Sequence, residues 1–220
     1  LNDNLSGIEL PVRFPLKTLE GRHVEIVQSL AKWKRYALWR HHIEPGMGIY
    51  TDMNAIRPDE ITDNLHSVYV DQWDWEKVIL PGERTEQVLR KCVKSIYYAI
   101  KRTQFLLSEH YPMLKSTLPH DIFFIYADEL RIKYPGLNPR ERENAIAREF
   151  GAVFIQGIGG PLADGTVHDN RSPDYDDWST ETRSGFFGLN GDIIIYHPVL
   201  QTAVELSSMG IRVNPQSLQL

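Results

Sequence analysis

The chain has 220 residues, 42% hydrophobic and 24% charged, with a net charge of -5 and a pI of about 5.9. That is the make-up of an ordinary globular protein, and with no basic stripe it argues against a large nucleic-acid footprint. A single cysteine, Cys92, excludes an internal disulfide and fits a reducing compartment. No run approaches the roughly 18 apolar residues of a membrane span and no signal peptide is recognisable, so a cytoplasmic protein is expected.

Residues 24 to 29 alternate as a strand. "SLAKWKRYALWRHH" follows as a helix, with Ser29 as its expected N-cap. Residues 46 to 57 read as a strand running into the polar, Pro-led loop "PDEITDNL". The next strand lies in "HSVYVDQWDWEKV", residues 66 to 78, and the two make a long antiparallel hairpin. Pro81-Gly82 breaks the chain. Residues 84 to 109 carry the longest helical pattern, which places Cys92 among Val88, Leu89, Val93, Ile96 and Ile100 as a core residue. Residues 120 to 130 begin as a strand. Asn138-Pro139 opens a helix, with Glu141 placed for a capping box and Gly151 as its stop. "AVFIQGI" reads as a buried strand. Residues 159 to 185 form a long loop rich in Gly, Asp, Asn, Ser and Pro, of the kind that is functional or disordered. Two strands around a Pro198 turn close the pattern. Hairpins with helices inserted between them predict an α+β fold, an antiparallel sheet flanked by helices.

The strand over 66 to 78 puts Gln72, Asp74 and Glu76 on one face and Trp73 and Trp75 on the other. One reading is a solvated polar face, the usual state of a half-buried strand. The other is a pocket floor that holds carboxylates and an amide toward a cation such as an ammonium group or Mg²⁺. In "ELSSMGIR" a carboxylate, small residues and an arginine fall within eight positions, with Glu205 and Ser207 expected on one face. That combination suits a ligand bearing a metal-bound phosphate and a carboxylate. Lys32, Lys34 and Arg35 read first as a solvated helix face. Asp174, Asp176 and Asp177 read first as turn residues. No phosphate loop ending in Gly-Lys-Ser/Thr is present, and "GIGGPLADG" has no lysine. His168 has no partner at metal-ligand spacing.

The segments "DNLSG", "SLAKWKR", "RPDE", "LHSVYVDQWDWE", "GAVF", "GIGG", "PDYDDWST", "GLNGDI" and "ELSSMGIRV" resemble those of the ammonia-dependent asparagine synthetases, relatives in fold of the class II aminoacyl-tRNA synthetases. The resemblance runs from Asp3 to about Arg212. It implies a class II synthetase-like catalytic domain that makes asparagine from aspartate, ATP and free ammonia, through β-aspartyl-AMP, with release of pyrophosphate and AMP. It further implies roles. Arg57 would hold the α-phosphate and Glu60 the adenine amino group. Gln72 and Asp74 would hold the α-ammonium of aspartate. Lys34 and Arg212 would grip its carboxylates, with Ser208 at the same pocket. Asp192 and Glu205 would place Mg²⁺ on the phosphates, and Asp3 and Asp176 would position ammonia or take its proton. Glu76 reads equally as a structural acid. A buried lone cysteine agrees with free ammonia as nitrogen source, because use of glutamine needs a cysteine-type nucleophile.

Relative to that family, residues 1 to 220 correspond to a single catalytic domain without its N-terminal interface segment and its C-terminal ATP-binding segment. A homodimer is expected of the complete protein, and neither nucleic acid nor membrane as partner. Gln28 stands where the resemblance leads one to expect histidine. Two other readings compete: a non-catalytic paralogue or fragment that binds aspartate or nucleotide, and the core of an aspartyl- or asparaginyl-tRNA synthetase. The second is disfavoured by the lack of an anticodon-binding barrel and a basic patch.

Overall fold

The computed structural model describes Asn2 and residues 9 to 219. The chain divides into two compact units at Pro81–Gly82. In the first unit, β1 (Arg13–Leu16) pairs with β2 (Arg22–Glu25), α1 spans Ala31–Arg40, and β3 (Gly48–Ile56) pairs antiparallel with β4 (Tyr69–Lys77). The register runs from Gly48 opposite Lys77 to Ile56 opposite Tyr69 without a shift. Helix α1 starts one residue later than expected. Leu30 is its N-cap, and the Ser29 hydroxyl accepts from the Ala31 amide at 3.1 Å.

The second unit contains α2 (Glu86–His110), β5 (Phe123–Tyr126), α3 (Ala127–Lys133), α4 (Pro139–Phe150), β6 (Ala152–Gln156), β7 (Glu181–Arg183), β8 (Phe186–Phe187), β9 (Asn190–His197) and β10 (Thr202–Gly210). Four strands form one sheet in the order β10-β9-β6-β5, and β7 and β8 form a separate small ribbon. Strands β10, β9 and β6 are antiparallel neighbours, whereas β5 and β6 run parallel. The physical reason is the connection: α3 and α4 lie between β5 and β6, and a crossover of that length returns the chain in the same direction.

The sheet is flanked by helices, as the hydrophobic pattern predicts. Val153, Ile155 and Ile194 pack with Leu130 of α3 and Ile146 and Ala147 of α4. Residues of opposite parity, Ala152, Phe154 and Ile193, pack with Leu89, Val93 and Tyr97 of α2. All five residues of β6 are buried, which explains its unbroken apolar run. The capping box at α4 forms as expected: Asn138 Oδ1 accepts from the Glu141 amide, and Glu141 accepts from the Asn138 amide. Cys92 is half-buried and lies against the α2 cluster rather than inside it.

Candidate functional site

The first unit resolves the two readings of the polar strand. Along β4, Gln72, Asp74 and Glu76 point inward while Tyr69, Asp71, Trp73 and Trp75 point out. Trp73 is 84% exposed and Glu76 only 7%. The amphipathic pattern is inverted: the tryptophans face solvent and the carboxylates face the helix side. Thr51, Met53 and Ile49 of β3 stand opposite Asp74, Gln72 and Glu76 and complete the same face.

From α1, Lys34 enters this face with its side chain fully buried. Its Nζ donates to Asp74 Oδ2 at 2.5 Å and to Thr51 Oγ1 at 3.0 Å. A buried ammonium is tolerated only when paired and hydrogen-bonded, and here both conditions are met. Lys34 therefore does not belong to a solvated helix face. Lys34 and Asp74, nominated by separate segments forty residues apart, meet in one ion pair. The strand does hold a carboxylate against a cation, and the cation is Lys34. At the far end of the hairpin Arg57 faces Glu60 at 3.9 Å, and the Arg57 Nε is buried without a hydrogen-bond partner among the described residues. Gln28 is buried as well, with its side-chain oxygen likewise unpartnered among the described residues. Asp3 lies outside the described residues.

In the second unit the candidates cluster around the β9–β10 hairpin and the loop after β6. A β-bulge between Glu205 and Ser207 shifts the register, so Glu205 opposes Ile194, Ser207 opposes Ile193 and Ser208 opposes Asp192. Directly opposed residues share a face. Glu205 is thus aligned with Ser208 and Asp192, not with Ser207 as simple alternation implied. The extra residue, Leu206, reverses the parity of everything after it.

Asp192 is 3% exposed. Burial and the negative charge of Glu205 push its carboxyl well above the usual carboxylate range, against the opposing pull of Arg171 and Ser208. Arg171 Nη2 donates to Asp192 Oδ2 and Nη1 to Asp169 Oδ2, both at 2.5 Å. Asp192 Oδ1 is buried with no hydrogen-bond partner among the described residues.

Asp176 and Arg212 are brought together by an isolated bridge between their backbones and an ion pair at 2.5 Å. The Arg212 guanidinium also lies 3.7 Å over the Tyr175 ring. Next to them Arg84 donates to the Arg212 carbonyl and to Asp177 Oδ2, both at 2.6 Å. Asp177 accepts from the amides of Ser179 and Thr180 and from both their hydroxyls. Burial would raise its carboxyl, but these bonds and Arg84 win and hold it below the usual range. Asp177 is a turn-forming acid, as its sequence context suggests. His168 is buried and bonds Glu143 of α4 at 2.9 Å, which ties the long loop to that helix.

Sequence reasoning misses Arg171 and Arg84. A lone arginine among Asp164, Asp169, Asp174 and Asp176 is a weak signal for a cation recruited by a buried acid. Nothing in the stretch after Pro81-Gly82 marks Arg84. The "GIGG" motif proves to be a close-approach device. A Cβ on Gly160 would come within 2.9 Å of the Trp178 ring, and one on Gly159 within 2.6 Å.

The second unit's mostly antiparallel sheet with helices on both faces, and in the first unit a hairpin that presents its polar side inward, make a class II aminoacyl-tRNA synthetase-like fold. The structure aligns over its whole length with asparaginyl-tRNA synthetase from Entamoeba histolytica in complex with asparaginyl-adenylate, with a TM-score of 0.59 and 12% identity over 48% of that chain. At that identity the likeness concerns the fold. The aspartate-ammonia ligase family model matches residues 1–220, and the chain belongs to that family. It is 55% identical over 218 residues to the aspartate–ammonia ligase of Parabacteroides distasonis and 56% identical over 218 residues to that of Ruminiclostridium cellulolyticum. In both cases 99% of this chain is matched, and it spans 63% and 62% of the relative's length.

Proposed function

We propose that the protein makes asparagine from aspartate, ATP and ammonia, with ATP converted to AMP and pyrophosphate through β-aspartyl-AMP. The observation that carries this reading is the inward-facing Gln72-x-Asp74 strand with Lys34 buried against it, in a chain of this family. A site built to hold an amino acid needs a fixed carboxylate for the ammonium and a fixed cation for the carboxylate. Lys34 and Asp74 supply one of each, held ready by their mutual pairing and free to exchange partners with a zwitterion. Gln72 adds an amide on the same face. Arg57 neutralises charge developing on the α-phosphorus, and its unpartnered Nε has a donor to spare for a phosphate oxygen. Glu60 takes the adenine amino group. These parts and the β9–β10 hairpin are read as one catalytic domain.

In the second unit, Arg212 and Ser208 contribute to substrate binding. Asp176, already bonded to Arg212, positions ammonia or accepts its proton, a role shared with Asp3. Mg²⁺ fits Asp192 and Glu205: a buried orphan oxygen and two carboxylates that repel each other are what a divalent cation relieves. When bound, Mg²⁺ supplies charge neutralisation of the ATP phosphates. The complete protein is proposed to be a cytoplasmic homodimer. Among the described residues no helix is long and apolar enough to cross a membrane.

The deciding assay is AMP and pyrophosphate release from Mg-ATP with aspartate, with and without ammonium, at about pH 8, where more free ammonia exists than at neutrality. Release that needs aspartate, and asparagine formed only with ammonium, is the expected result. Binding of aspartate or ATP without turnover would favour the binding-paralogue reading instead.

A further inference from the structure

The second unit holds a small cavity of about 40 Å³ at the carboxyl ends of the parallel strands β5 and β6, apart from the carboxylates already described. Its lining includes Gln156, Tyr126, Asp128, Trp178, Phe186 and Phe187, and no lysine, arginine or histidine. Gln156 is 1% exposed. Its Nε2 donates to the Gly188 carbonyl at 2.9 Å and to the Tyr126 hydroxyl at 3.1 Å. The carbonyl can only accept, so the amide orientation is fixed by the network. That leaves Gln156 Oε1 buried with no hydrogen-bond partner among the described residues. An orphaned buried carbonyl oxygen asks for a donor.

Size and lining restrict that donor. A water molecule's share of the liquid is about 30 Å³, so a space of about 40 Å³ matches a molecule of that size. The orphaned oxygen together with the rings of Trp178 and Phe187, which Arg183 does not cover, favours a small N–H donor, whose N–H groups can address ring faces as well as oxygens. The nearby guanidinium groups are already matched by acids. Arg131 sits on Asp128 at 2.8 Å and on Asp164 at 3.3 Å, and Arg183 pairs with Glu129 while stacking over Tyr126 and Phe186. Tyr126 donates to Glu86 at 2.8 Å and meets Thr182 at 2.5 Å, so its own hydroxyl proton is committed.

We propose that this cavity is a binding site for ammonium or its free base, with Gln156 Oε1 as the principal acceptor. The proposal deepens the functional reading above and rests on it for the meaning of the ligand. Gln156 opposes Gly191 in the sheet, one residue before Asp192, so the nitrogen source would be held beside the strand that carries the proposed metal-binding acid.

The test is a titration of the ¹⁵N-labelled protein with ammonium chloride, following the Gln156 side-chain amide and the Trp178 indole, with sodium and potassium chloride at matched ionic strength. Saturable shifts with ammonium alone, lost at Trp178 in Gln156→Met, are expected. No saturable shift would mean that the cavity holds only water, and equal shifts with potassium would mean a general monovalent-cation site. Either overturns the proposal. The wild-type titration decides even if Gln156→Met fails to fold. It also needs no turnover, so a protein that binds ammonium but makes no asparagine would refute the functional reading while leaving the site standing. In an active protein, Gln156→Met should raise the ammonium KM about tenfold and leave the aspartate KM unchanged. An equal rise in both would point to a structural role only.

Discussion

The β3–β4 hairpin and the β9–β10 hairpin both bury acids on a strand, and they do so by opposite means. In β3–β4 the alternation is unbroken, and Asp74 is compensated by a lysine from the helix that covers it. In β9–β10 a bulge realigns Glu205 with Asp192, so two like charges converge, and the compensating arginine arrives from a distant loop. The first arrangement is a matched pair of opposite charges. The second keeps excess negative charge and an unsatisfied oxygen, a state suited to an incoming cation and costly without one.

Substitutions can break this contrast. The largest effect is expected from Lys34→Met, which leaves Asp74 on an inward face without its cation. A loss of about 3 kcal/mol in denaturant unfolding is expected, and the double change Lys34→Met with Asp74→Leu should recover part of it. Next comes Asp177→Asn, which weakens the bonds to Arg84, Ser179 and Thr180. About 2 kcal/mol should be lost at neutral pH. Because Asp177 is held below its unfolded value, its contribution is present above about pH 4 and disappears as pH falls through the lowered native value. Thermal melts of wild type and variant should therefore converge in acid.

A smaller change sharpens the like-charge half of the comparison. Glu205→Gln should lower the titration midpoint of Asp192, read by carboxyl carbon NMR, and change stability by no more than about 0.5 kcal/mol, since Glu205 is exposed. An unmoved midpoint would show that the two carboxylates do not interact across the bulge. The smallest effect belongs to Trp73→Ser. Its side chain lies on the solvent face, so less than about 0.5 kcal/mol is expected. A large loss there would reverse the orientation of β4.

How much could be read in advance follows from the same contrast. The β3–β4 hairpin, the capping box at Asn138 and the helix from Glu86 rest on local chemistry, and local chemistry is written in short stretches of sequence. Periodicity also separated Gln72, Asp74 and Glu76 from Trp73 and Trp75. It could not say which face is buried, because both faces of β4 contain side chains that can be buried or exposed.

What the sequence determined by itself is the family, the long β3–β4 hairpin, the helices α1, α2 and α4 with the strands β6, β9 and β10, and the residue types gathered for the chemistry; β1, α3 and the β7–β8 ribbon it did not mark. What only the tertiary structure decided is pairing and parity. Lys34 meets Asp74 because α1 packs on the inward face of the hairpin, Glu205 turns toward Asp192 because one extra residue shifts the ladder, and Arg171 and Gln156 acquire their surroundings from chain segments far away in sequence. Those outcomes depend on which elements come together and in what register. No single stretch of residues contains that information, since burial and charge compensation are properties of the assembled fold.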